Sequence, residues 1–149
     1  LMKKFRFSLE TVLHYREQML DAVKAEHASA LLKVRTQEDV IENLVNQFND
    51  INNEYRHKKM TGMTIADAMS FDIMLRAQER KIDYEKNILV KLKHDEEEKR
   101  EKVRQAKTDK ATIEKIKETK YNQYKKAIQK SEEQFIDEFV ATKRVMAAN

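Results

Sequence analysis

One glycine, Gly62, and no proline punctuate a chain of 149 residues. Sheets and mixed α/β folds need many turns and draw them from Gly, Pro, Asn and Asp. A chain with so few breakers is restricted to long helices, and its wealth of Lys, Glu, Leu, Ala and Arg agrees with that. Hydrophobic residues make up 40% and charged residues 38%. That is too little apolar material for a thick globular core, so the helices must bury narrow faces.

The apolar pattern shows which faces. Stepping 4, 3, 4, 3 from Leu9 gives Leu9, Leu13, Arg16, Leu20, Val23, His27, Ala30, Val34, Gln37, Ile41, Leu44, Phe48, Ile51 and Tyr55, of which eleven of fourteen are apolar. Two positions in seven without a slip is a coiled-coil seam. Ser8 stands where an N-cap is expected, followed by Glu10 at the positive end of the helix dipole. The pattern breaks at Lys58–Thr64, around Gly62, and Thr64 with Asp67 resembles a capping box for a second helix. A second seam runs through Phe71, Leu75, Gln78, Ile82, Glu85, Leu89, Leu92, Glu96, Lys99, Val103, Ala106, Lys110 and Ile113, with eight of thirteen apolar. Its charged section, Lys93–Lys102, falls opposite the alanine-rich Ala22–Ala30, so a thin middle is expected, the charge run being read as a solvated face.

The fold expected is therefore all-α: a long two-helix antiparallel coiled-coil hairpin forming one unit over 1–149. Helix 1 is expected at about 8–59, the turn at 60–64 and helix 2 at about 65–146. At about 1.5 Å per residue helix 1 is roughly 75 Å long and helix 2 roughly 120 Å. Helix 2 should then overhang helix 1 beyond about residue 116, without an internal partner. There the seam shifts phase to Tyr121, Tyr124, Ile128, Phe135 and Phe139, joined by Ile136 and Val140. Phe5 and Phe7 should lie near the root of this overhang. Exposed apolar surface of this kind marks a binding site. Arg16 interrupts the first seam opposite about residue 108. Burial there would need a carboxylate, so it is expected to reach outward to a partner.

Several functions are disfavoured. No apolar stretch is long enough to span a membrane. The basic start, Met2–Phe7, leads into Glu10, His14 and Arg16 rather than an apolar run, so no signal peptide is read, and Leu1 before Met2 is set aside. There is no Cys, hence no disulfide or thiolate chemistry. His14, His27, His57 and His94 are widely separated. Asp95–Glu98 are consecutive and point to different helix faces. No catalytic residue, metal site or cofactor site is assigned, and the chain is read as not an enzyme. Residues 99–130 hold twelve Lys/Arg against four acids. This leaves an alternative reading, a basic coiled coil that binds nucleic acid or an anionic membrane through that section. A generic coiled coil that dimerises is a third.

The opening Phe5-Arg6-Phe7-Ser8-Leu9-Glu10-Thr11-Val12-Leu13-His14-Tyr15-Arg16 resembles the start of the FliJ family of flagellar export proteins, through Phe7, Leu9, Leu13 and Arg16. The length, the break at Gly62 and Thr64, and the run Phe71, Leu75, Ile82 are similar too. The resemblance implies a cytoplasmic component of bacterial flagellum biogenesis and protein export, supporting motility and chemotaxis. It implies an antiparallel coiled coil that sits as a central stalk in the hexameric export ATPase and contacts the membrane export gate and export chaperones. Such a protein is peripheral at the cytoplasmic face of the cell membrane, monomeric when free, and without nucleic acid as a partner. By resemblance, Phe5, Phe7, Leu9, Leu13, Arg16, Phe135 and Phe139 would form the ATPase-binding tip. Phe71, Met74, Leu75, Gln78 and Ile82 would meet the gate.

Overall fold

The computed structural model describes residues 3–148; Leu1, Met2 and Asn149 lie outside them. Two helices, α1 (Glu10–Thr61) and α2 (Ile65–Ala148), pack against each other as a helical hairpin, with no strand among the described residues. Every position of both seams, Leu9 to Tyr55 and Phe71 to Ile113, is buried or half-buried. The 4-3 spacing thus names the packed face of each helix.

The chain divides into two compact units, Ala22–Arg104 and a second made of Leu1–Asp21 with Gln105–Asn149. In the first, the turn is built as the sequence indicates. Gly62 takes φ +103°, the left-handed value that ends a helix cheaply only at glycine. Its N–H donates to the Lys58 carbonyl at 2.9 Å. Thr64 Oγ1 accepts the Asp67 N–H at 3.1 Å and caps α2. Tyr55 lies 5.1 Å from Phe71, ring centre to ring centre, just inside the turn.

The polar seam residues of this unit meet one another across the two helices. His27 Nε2 lies 2.8 Å from Glu96 Oε1. Gln37 Nε2 donates to the Glu85 carbonyl at 3.0 Å and to its carboxylate. Gln78 Nε2 donates to the Leu44 carbonyl and to Gln47 Oε1, each at 3.0 Å. The order 27–96, 37–85, 47–78 fixes an antiparallel register. One expectation changes here. The charge run is not wholly solvated, because Glu96 is buried. Ala30, with its small side chain, is buried more completely than the larger Leu44 and Leu89, which are only half-buried.

In the second unit α1 starts two residues later than expected. Ser8 and Leu9 form a turn closed by the Glu10 N–H on the Phe7 carbonyl at 3.2 Å, so the backbone rather than the Ser8 side chain makes the first bond. The residues before α1 continue its path along α2 without being helical. Glu10 pairs with Lys117 at 2.9 Å, the Phe5 ring lies edge-on 5.3 Å from Tyr121 and tilted 5.5 Å from Tyr124, and the Tyr124 hydroxyl donates to the Lys3 carbonyl at 2.7 Å. The first part of the expected overhang therefore has an internal partner. From residue 129 to 148 every side chain is exposed.

Candidate functional site

A two-helix packing leaves shallow surfaces rather than enclosed cavities, so the chemistry available is that of contact. Of the residues assigned to the ATPase-binding tip, Leu13 is buried at 6% exposure, whereas Phe5, Phe7, Leu9 and Arg16 are half-buried. Phe135 and Phe139 are open, at 70% and 55% exposure. They lie one turn apart on α2, with Ile136 and Val140 beside them, also exposed. The stripe stays open to solvent, with Lys143 Nζ 5.4 Å from the Phe139 ring centre.

Arg16 does not reach outward. Its guanidinium lies 3.5 Å from Asp109, and its Nε is buried without a hydrogen-bond partner. The carboxylate that burial calls for is supplied by α2, one residue from the position the register gives. Periodicity along one seam missed a second set of exposed side chains on α1: Val12, Tyr15 and Met19. Their 3-4 spacing off the seam was the signal.

The residues assigned to the gate are mostly interior. Phe71, Gln78 and Ile82 are buried and Leu75 is half-buried, because they are the seam itself; Met74 alone is half exposed. The apolar side chains open on that part of α2 are Ile65, Met69 and Ile73, which with Tyr55, Ala68 and Asp72 line a shallow groove.

The acidic run fans out. Glu96 turns to His27, Glu97 pairs with Arg100 at 3.3 Å, and Glu98 lies 3.2 Å from His94. Among the described residues no three His, Cys, Asp or Glu are grouped to hold a metal ion. Within the basic section, Lys99, Arg100, Arg104, Lys115 and Lys117 are engaged by Glu26, Glu96, Glu101, Glu118 and Glu10. That leaves less free charge for a polyanion than the composition suggests. No described helix is long and apolar enough to cross a membrane.

Long paired helices with polar seam layers and an unpaired aromatic stripe define a helical hairpin suited to binding other proteins. The family model for the flagellar FliJ protein matches residues 5–147, and the chain belongs to the FliJ family, a component of flagellar protein export. No curated protein and no solved structure matches it.

Proposed function

We propose that this chain works without catalysis as an adaptor of flagellar export. It binds the hexameric export ATPase as a central stalk and links it to the membrane export gate and to export chaperones. Its place is the cytoplasm, peripheral to the membrane, and the free protein is a monomer. The observation that carries this reading is the exposed stripe Phe135, Ile136, Phe139 and Val140 on a helix that continues past its internal partners. Aromatic side chains left in water by the fold gain most when a partner covers them.

The tip assignment narrows accordingly. Phe135 and Phe139 make the contact, while Phe5, Phe7, Leu9 and Leu13 hold the N-terminal segment on α2 and Arg16 pairs with Asp109. For the gate, Met74 and its exposed neighbour Ile73 are the available contacts, with Phe71, Leu75, Gln78 and Ile82 keeping α2 in register beneath them. Co-elution of the purified full chain with the export ATPase tests the reading. A one-to-one complex with each hexamer and stimulated ATP hydrolysis are expected. Separate elution with unchanged hydrolysis would remove the stalk role.

A further inference from the structure

Two stretches of this surface carry exposed apolar side chains, and the charges around them have opposite sign. Residues 131–140, around Phe135 and Phe139, hold Glu132, Glu133, Asp137 and Glu138 and no base. Residues 56–66, at the hairpin turn, hold Arg56, His57, Lys58 and Lys59 and no acid. Beside Arg56, Lys58 and Lys59 stand Met60, 87% exposed, and Ile65, 82% exposed, with Met69 largely exposed one turn further along α2. A cationic collar behind a short apolar loop is complementary to an anionic bilayer surface, where the charges meet headgroups and the apolar groups enter the interface. The acidic stripe at 132–138 has the wrong sign for that surface.

The turn is also prepared for partial dehydration. Carbonyls at the end of a helix lack intrahelical partners and are costly to take out of water. Here the Lys58 carbonyl accepts the Gly62 N–H at 2.9 Å and the His57 carbonyl accepts the Thr61 hydroxyl at 3.2 Å. At the start of α2, Thr64 takes the Asp67 N–H. The lysines stay beside the collar. Lys59 Nζ lies 3.9 Å above the Tyr55 ring, and Lys58 Nζ lies 5.2 Å from the Phe71 ring and 3.5 Å from Glu54. The remaining charges nearby are Asp67, Asp72 and Arg76, the last two paired with each other at 3.0 Å.

We propose that the hairpin turn docks on an anionic lipid bilayer, with Arg56, Lys58 and Lys59 on the headgroups and Met60, Ile65 and Met69 in the interfacial layer. This goes beyond the protein contact with the gate and does not depend on it, nor on the ATPase contact.

The test is flotation of the full chain with vesicles of phosphatidylglycerol mixed with phosphatidylcholine, and with vesicles of phosphatidylcholine alone, at low salt. Partition to the mixed vesicles only is expected. Lys58→Ala with Lys59→Ala should weaken it by about fivefold per charge removed. Met60→Ser with Ile65→Ser should weaken it with no change in helix content, whereas Lys125→Ala with Lys126→Ala should leave it unchanged. A Met60→Trp variant, at a position that packs on nothing, should shift its emission to the blue on the mixed vesicles. Absence of partition by the unaltered chain overturns the proposal, as does an unshifted Trp emission. Partition lost through Lys125 and Lys126 and indifferent to the turn would move the contact to the basic section. Binding of an acidic protein through Lys58 and Lys59 without vesicle partition would replace lipid by protein and likewise overturn it.

Discussion

His27 Nε2 and Glu96 Oε1 face each other at 2.8 Å across the seam, and Arg100 Nη2 reaches the same carboxylate oxygen at 2.7 Å. Glu96 is 7% exposed, the deepest charged group described. A carboxylate so placed is tolerated because both neighbours offer it hydrogens, and its partner across the seam fixes where α2 lies along α1.

This arrangement sets an acid limit on stability. The hydrogen bond from His27, and after it Arg100, holds the Glu96 carboxyl below the usual carboxylate range, against the opposing effect of burial. A group with a lowered folded-state value contributes stability above its unfolded value and loses it as pH falls through the folded one. Melting curves taken from neutral to acid pH should therefore show Glu96→Gln less stable than the unaltered chain at neutrality. The gap should close below the ordinary glutamate range. A constant gap at all pH values would show that the carboxylate charge is not what matters.

Burial also reverses the simplest ranking of seam leucines. A seam read only from periodicity places the strongest core near the turn, at Leu44 and Leu89. Those two are half-buried, whereas Leu13 is only 6% exposed. Buried Leu→Ala changes cost about 2–5 kcal/mol in globular cores, and two-helix seams lie below that range. Leu13→Ala should lower the melting temperature more than Leu44→Ala does. The opposite order would mean that exposure does not rank the seam leucines.

The turn should be sensitive at two positions for different reasons. At Gly62 an added Cβ would meet nothing within 4 Å, so Gly62→Ala acts through its left-handed backbone alone and should cost about 1 kcal/mol. Thr64→Ala removes the cap of α2 and should cost about 1 kcal/mol. Thr64→Ser should restore most of it. Denaturant melts of the three variants check this.

Much of the fold could be read from spacing because burial here is set by helical period. Each seam position from Leu9 to Ile113 that the 4-3 count reaches is packed, and Gly62 with Thr64 marks the turn. The coincidence of His27 with the charged section hinted at the middle layer, but not that Glu96 was its partner. Phe5 is expected near the root of the overhang, but its contacts with Tyr121 and Tyr124 are not legible because residues 3–8 are not helical and carry no period. The gate assignment rests on a general ambiguity. Phe71, Leu75 and Ile82 recur at the spacing of any apolar face, and the count alone does not say whether that face meets its own hairpin or another protein. Exposure is what spacing does not supply: Phe71 and Ile82 are buried, and Met74 and Ile73 are open.

Arg16 separates structural from functional use of a charge. It pairs with Asp109 at 3.5 Å, yet its Nε is buried without a partner. Replacing a poorly satisfied ion pair by apolar groups is often neutral or stabilising. Arg16→Met combined with Asp109→Leu should leave the melting temperature unchanged or raise it. Arg16→Met alone should lower it by leaving Asp109 without its cation. A double variant less stable than either single one would show that the pair is a net source of stability.

If the export ATPase grips the free stripe of α2, a titration of the full chain against the purified ATPase hexamer reads that contact. Phe135→Ala with Phe139→Ala removes two side chains that the fold leaves exposed, so helix content and melting temperature should stay as they are. Hot-spot truncations of this kind cost about 2 kcal/mol or more each, so affinity should fall by well over tenfold. Substitutions at Glu97 and Glu98 should change it little. Binding by the double Phe variant as tight as that of the unaltered chain would remove the stripe as the ATPase contact.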